Sequence, residues 1–192
     1  MTNAKDLKTE RFKKKTPRKA TAKYLDNAAL YYLSRYATST ENLKRVMMRK
    51  VDRSARFHGT DAEEGRALVE DMIGRFRTSG LLDDAAYAKS RAESLHRRGN
   101  SARVIRGKLK QKGVDDNVIA AALDARGEDT EDGKDPELTA AVTLAKRRRL
   151  GPFAVKPPNG EQREKHLAAL ARAGFSYDVA QRVIDGKDID GI

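Results

Sequence analysis

Shifted by 62 residues, the sequence meets itself. Leu33 falls on Leu95, Ser39 on Ser101, Leu43 on Ile105, Met47 on Leu109 and Lys50 on Lys112. A further shift of 61 puts Leu109 on Leu170, Gly113 on Gly174, Val118 on Val179 and Leu123 on Ile184. A recurrence of this length leaves room for three short helices per repeat, so the chain is constrained to tandem units stacked on their neighbours. The end units should be atypical, because one face of each has no neighbour. The first departs after Val51, where it continues through "DRSARFHGTDAEEG", and the third carries a longer loop, "GPFAVKPPNGEQ".

Helical spacing dominates within each unit. Leu25, Ala28, Ala29, Tyr32, Leu33 and Tyr36 fall at i, i+3, i+4, i+7, i+8 and i+11, an apolar stripe along one face. A second stripe has Leu43, Val46, Met47 and Val51, with Thr38 and Glu41 spaced as a capping box. A third has Leu68, Val69, Met72, Ile73 and Phe76, ending at Gly80. No β alternation of useful length occurs. The expected fold is all-α: three tandem three-helix repeats in an elongated, curved, solenoid-like body.

Asp83 and Asp84 stand side by side before Tyr87, and paired carboxylates can hold a metal or share a proton. They can also start a helix. With Asp83 as N-cap, Asp84 meets the positive end of the helix dipole, while Leu82 and Tyr87 form the halves of a hydrophobic staple. "GVDDNVI" repeats the device with Val114 and Ile119 flanking Asp115, and "GFSYDVA" with Phe175 and Ala180 flanking Ser176. Three such junctions favour capping over catalysis. The expected organisation is a basic arm over 1–20 and repeats over 21–79, 80–127 and 136–186. An acidic linker spans 128–135, closed by Asp135 as a cap and Pro136 at the first helical position, and a tail spans 187–192.

Charged residues make up 35% of the chain, against about 25% in an ordinary globular protein. Hydrophobic residues make up 39%, which suits a body with much surface per residue. There is no cysteine, which removes disulfides, thiol nucleophiles and thiolate metal sites. No apolar run approaches the roughly 18 residues of a membrane span, and no apolar leader segment is apparent, so a soluble cytoplasmic protein is expected. The net charge of +12 is uneven: residues 1–23 hold nine Lys/Arg against two acids. The stretch "KTERFKKKTPRKATAK" is therefore expected to be a disordered arm, read as a solubilising tail, a weak attractor of nucleic acid or a nuclear signal.

The residues that place this chain lie in the second unit. "GLLDDAAYAKSRAESLHRRGNSARVIRGKLKQKGVDDNVIAAAL" resembles the central repeat of the RecX family, bacterial regulators of the RecA recombinase. "AGFSYDVAQRVI" resembles that family's third repeat, and "ALYYLSRYATSTENLKRVMMRKV" its first. The resemblance runs over roughly residues 24–185. It implies a tandem three-helix protein that lies in the groove of the RecA–DNA filament and restrains strand exchange, ATP hydrolysis and co-protease activity; the chain itself is expected to be a monomer.

No constellation for catalysis emerges. His58, His96 and His166 are isolated, and His166 aligns with Ile105 of the second unit, which suggests partial burial. No Gly-rich phosphate loop and no Gly-x-Ser-x-Gly turn occur, so no cofactor, metal or enzymatic activity is expected. The remaining signal is basic. Val104, Ile105 and Leu109 should face inward on a helix near 102–112, leaving Arg103, Arg106 and Lys110 outward. Arg97 and Arg98 precede them, and Lys146, Arg147, Arg148 and Arg149 form a run in the third unit. These nine are the candidate contacts to acidic protein surface or phosphate, weighed against an ordinary solvated face. Weak sequence-independent DNA binding is expected. A helix-turn-helix repressor is a competing class, but its second helix would present Asp115 and Asp116 to DNA. A general nucleic-acid chaperone using the arm and the basic patches is another.

Overall fold

The computed structural model of the chain describes residues 16–128, 135–187 and 189. The first fifteen residues of the expected arm, the centre of the expected linker and most of the expected tail lie outside the described residues. Among those described, the chain forms nine α-helices, one 3-10 turn and no strand. No helix among them is long and apolar enough to cross a membrane.

The helices pack in threes. The first set is α1 (Ala22–Leu33), α2 (Thr40–His58) and α3 (Ala62–Thr78); the second is α4 (Asp84–His96), α5 (Ala102–Gln111) and α6 (Asp116–Glu128). The third is α7 (Pro136–Arg148), α8 (Gly160–Arg172) and α9 (Tyr177–Ile184), with the 3-10 turn Gly151–Phe153 between α7 and α8. Each set buries its own core. Leu43, Met47, Val69 and Met72 close the first, Leu95, Ile105, Leu109 and Ile119 the second, and Val142, Leu170, Phe175 and Val183 the third. The all-α tandem architecture expected from the period is the one observed.

Local signals explain most helix ends. Asp83 caps α4, its Oδ1 accepting from the backbone N–H of Ala85 and Ala86 at 2.9 Å. Ser176 caps α9 by accepting from Val179 N–H. Asp135 caps α7, with Pro136 at the first helical position. Some expectations are corrected. The cap of α2 is Ser39, which accepts from Asn42 N–H, whereas Thr38 Oγ1 accepts from the Asn42 side chain. The α1 stripe stops short of Tyr36, because the helix turns at Ser34 and leaves Tyr36 55% exposed. Asp115 makes no side-chain capping bond among the described residues; only its carbonyl joins the helix, accepting from Ile119 N–H. The staple expected of Leu82 and Tyr87 divides between cores, with Leu82 in the first and Tyr87 against the second. Residues just before α1 are pinned to α2: His58 Nε2–H donates to the Pro17 carbonyl at 2.7 Å, and Ala20 N–H to Ser54 Oγ at 3.0 Å.

The units are joined by their helix ends. Ser101, fully buried, accepts from Val104 N–H and donates its hydroxyl to the carbonyl of Ala173, the C-cap of α8, at 2.7 Å. Ser39, also fully buried, does the same one unit earlier, donating to the carbonyl of Lys112, the C-cap of α5. Beside each serine a free N–H of the first turn is taken by an acid of the next unit. Thr40 N–H donates to Asp84 at 2.7 Å, and Ala102 N–H donates to Glu137 at 3.0 Å. The second of the paired aspartates thus completes a joint. The corresponding cap of α8 is Asn159, which is exposed and closed on itself in a capping box with Gln162.

Ser101→Ala removes a cap and leaves the partly buried Ala173 carbonyl without its donor, so it should lower unfolding free energy by roughly 2–3 kcal/mol in urea titration. Asn159→Ala, which breaks a cap but no joint, should cost about 1 kcal/mol. A second pair separates packing from backbone strain. Gly80 and Gly99 both have positive φ, 72° and 74°. A Cβ at Gly80 meets open space, while one at Gly99 meets the backbone N of Leu144 at 2.8 Å. Gly80→Ala should cost about 1–2 kcal/mol, and Gly99→Ala a further 1–3 kcal/mol from the collision between units.

Candidate protein and nucleic-acid interface

The loop that ends α4 is built by its glycine. With φ at 74° and no side chain, Gly99 lets the chain turn tightly against α7. His96 Nε2–H donates to the Pro136 carbonyl at 2.7 Å from the same loop. This leaves Arg97 and Arg98 exposed at the joint between the second and third units. Arg147 reaches back across that joint, its Nη1 donating to the Arg98 carbonyl at 2.8 Å. Two basic runs nearly 50 residues apart in sequence therefore form one patch.

The rest of the third-unit run is set by the end of α7. Lys146 lies over the Phe153 ring, 5.7 Å from its centroid. Arg148 and Arg149 are exposed, and Arg149 takes the left-handed conformation at φ 56° that terminates the helix. That geometry is uncommon for a residue with a Cβ, and it turns the chain so that Leu150 enters the third core.

On α5 the expected division of faces is present with one change. Ile105 and Leu109 are fully buried, Val104 is half-buried, and Arg103 and Arg106 are exposed without an ion pair among the described residues. Lys110 is not a free cation: Asp116 at the start of α6 holds it at 2.9 Å. The carboxylate that weakens α6 as a DNA-reading helix also neutralises the outermost member of the triad. Periodicity assigns a face but cannot foresee this pairing, because α6 folds back across a turn.

The histidines serve structure. In addition to the two bonds already described, His166 is half-buried and its Nδ1 accepts from Gly151 N–H at 3.0 Å. Among the described residues no group of three or more His, Cys, Asp or Glu side chains could hold a metal ion. Sequence reading overlooked a basic row on α2. Arg49, Arg53 and Arg56 are exposed at i, i+4 and i+7, beside Phe57, which is 55% exposed. The signal was available in the helical spacing of "RKVDRSARF".

The chain matches the family model described as "RecX, second three-helix domain" over residues 83–123. It is 47% identical over 182 residues to the Regulatory protein RecX of Myxococcus xanthus, covering 94% of each chain. It is 32% identical to the protein of that name in Agrobacterium fabrum, covering 82% of this chain and 80% of the relative. Among solved structures it resembles RecX from Lactobacillus salivarius with a TM-score of 0.62 at 22% identity, covering 88% of this chain and 97% of that one. A crystal structure described as regulatory protein RecX aligns with a TM-score of 0.61 at 23% identity, over 85% of this chain and 71% of that one.

The bond from Arg147 to the Arg98 carbonyl distinguishes two neighbouring arginines. Arg147→Ala should lower the thermal midpoint measurably, and Arg148→Ala should leave it unchanged, as expected of an exposed side chain with no partner among the described residues. Circular dichroism melts of the two variants at equal salt make the comparison.

Proposed function

This chain belongs to the RecX family of regulatory proteins, and on that premise we propose that it binds the RecA–DNA filament and restrains RecA ATPase, strand-exchange and co-protease activity without catalysing a reaction itself. The observation that carries this reading is the 47% identity to a Regulatory protein RecX along almost the whole of both chains. The architecture suits it physically. A filament repeats the same surface at intervals, and a row of tandem units can meet successive copies with corresponding faces.

The contact surface in this reading is the basic patch at the joint of the second and third units: Arg97, Arg98, Arg103, Arg106 and the exposed arginines at the end of α7. Lys110 contributes less, since Asp116 already screens it. Cations on this patch are attracted to acidic protein surface and to phosphate alike, and the second attraction gives weak, sequence-independent DNA binding that falls steeply with salt. Sequence-specific reading by α6 is disfavoured, because Asp115 and Asp116 at its N-terminus would face the phosphates.

Added substoichiometrically to the cognate RecA on single-stranded DNA, the protein should slow both ATP hydrolysis and strand exchange. Absence of an effect at any ratio rejects the reading. The double variant Arg103→Glu/Arg106→Glu should inhibit at least severalfold less while keeping its melting temperature, because favourable contacts become repulsive and neither side chain packs in a core. Undiminished inhibition by that variant would place the contact on another face.

A further inference from the structure

Half of the chain's six tyrosines lie within six residues, at Tyr31, Tyr32 and Tyr36. The end of α1 spreads them apart. Ser34 closes the helix by donating its N–H to the Leu30 carbonyl, Arg35 and Tyr36 donate theirs to the Tyr32 carbonyl, and the chain then leaves the helical path. Tyr32 stays half-buried on the helix, while Tyr36 stands beyond it, 55% exposed, with its ring centroid 5.1 Å from that of Tyr32. Tyr87 of α4 comes from the next unit into the same concavity, a groove of about 770 Å³ between the first and second units.

The cations of this groove are as notable as its rings. Arg35, Arg91 and Lys112 line it, against the single carboxylate of Asp83, which is occupied in capping α4. Lys112 Nζ donates to Asn42 Oδ1, a neutral partner. Arg35 lies over the Tyr31 ring at 4.7 Å, and neither Arg35 nor Arg91 has an ion pair among the described residues. Elsewhere on the surface arginines find carboxylates readily, as Arg75 does with Asp26 and Arg163 with Asp185. Burial raises the Tyr87 hydroxyl above its ordinary pKa.

We propose that this groove binds single-stranded nucleic acid, with unpaired bases stacking on Tyr36 and meeting Tyr32 and Tyr87 while Arg35, Arg91 and Lys112 hold the phosphates. Exposed aromatic faces with cations between them are the arrangement that accepts any base, because every base has a π-face and every link a phosphate. A duplex cannot use it, since its bases are already stacked on one another. An acidic peptide could use the cations but has no need of an exposed tyrosine face. The proposal goes beyond the RecA reading and is independent of it, because its probe is nucleic acid alone.

The full-length protein is titrated into fluorescein-labelled oligothymidylate of twelve nucleotides and into a labelled twelve-base-pair duplex. The single strand should bind more tightly and, in a chain without tryptophan, quench tyrosine emission directly. Tyr36→Ala, which changes no charge, should weaken single-strand binding about 5- to 100-fold, the loss of one stacked base. It should leave duplex binding and the melting temperature unchanged, and Tyr36→Phe should retain binding. Arg91→Gln should weaken the single strand more than Arg53→Gln, a control of equal charge on α2. Single-strand affinity unchanged in Tyr36→Ala would overturn the proposal. So would equal competition by an oligoglutamate peptide of the same charge, which would reduce the groove to a simple anion patch. Either failure leaves the RecA inhibition assay untouched.

Discussion

Two serine hydroxyls, those of Ser39 and Ser101, hold the three units in series, and the remaining architecture follows from how they are used. Each caps its own helix and also donates to the last carbonyl of the equivalent helix in the next unit. Helix ends carry orphan N–H and C=O groups that must find partners when buried. Here the side chains of one unit satisfy orphan groups of its neighbour: the serine hydroxyls meet the carbonyls, and Asp84 and Glu137 take up the adjacent N–H groups. The joint is therefore directional and polar. A chain with only 39% hydrophobic residues can build it without a large apolar interface between units.

Because the joints consume little apolar surface, each unit keeps a core of its own, and the ends of the row can be finished differently. At the third unit, Asn159 and Gln162 satisfy each other where another unit would otherwise dock. At the first, α2 runs on to His58, and that histidine and Ser54 grip the chain before α1. The first unit also lends its core to the linker that follows, since Leu82 is buried in it just before α4 begins. The connection between units is thus covalent, apolar and polar within a few residues of the paired aspartates.

Function, on this view, is placed at the joints. The turn at Gly99 brings the arginines after α4 against those ending α7, so a basic patch forms where two units meet. The junction before it gathers tyrosines and cations without an ion pair among the described residues into a groove. Neither site uses a buried reactive group, and the histidines and the paired carboxylates are committed to holding backbone. In the proposed reading, a surface assembled from successive joints suits a long partner, with recognition spread over many individually modest contacts.

The sequence by itself determined the helical class, the threefold recurrence, the core stripes of α3 and α5, and caps such as Asp83, Asp135 and Ser176. Stripes and caps depend on residues within a turn or two of each other, where spacing and side-chain chemistry act directly, and the recurrence is read by laying the linear sequence on itself. The resemblance of the central repeat to the RecX family was legible for the same reason, being carried by a contiguous stretch. Other features were decided only by tertiary structure. Tyr36 left its stripe because helical spacing cannot say where a helix stops. Ser39, not Thr38, caps α2, and its hydroxyl also meets the carbonyl of Lys112, 73 residues further along the chain. Lys110 lost its freedom to Asp116, and Arg147 found Arg98, through folds that no local pattern encodes. Period and propensity act along the chain, whereas a joint exists only once distant helix ends are brought within hydrogen-bonding distance.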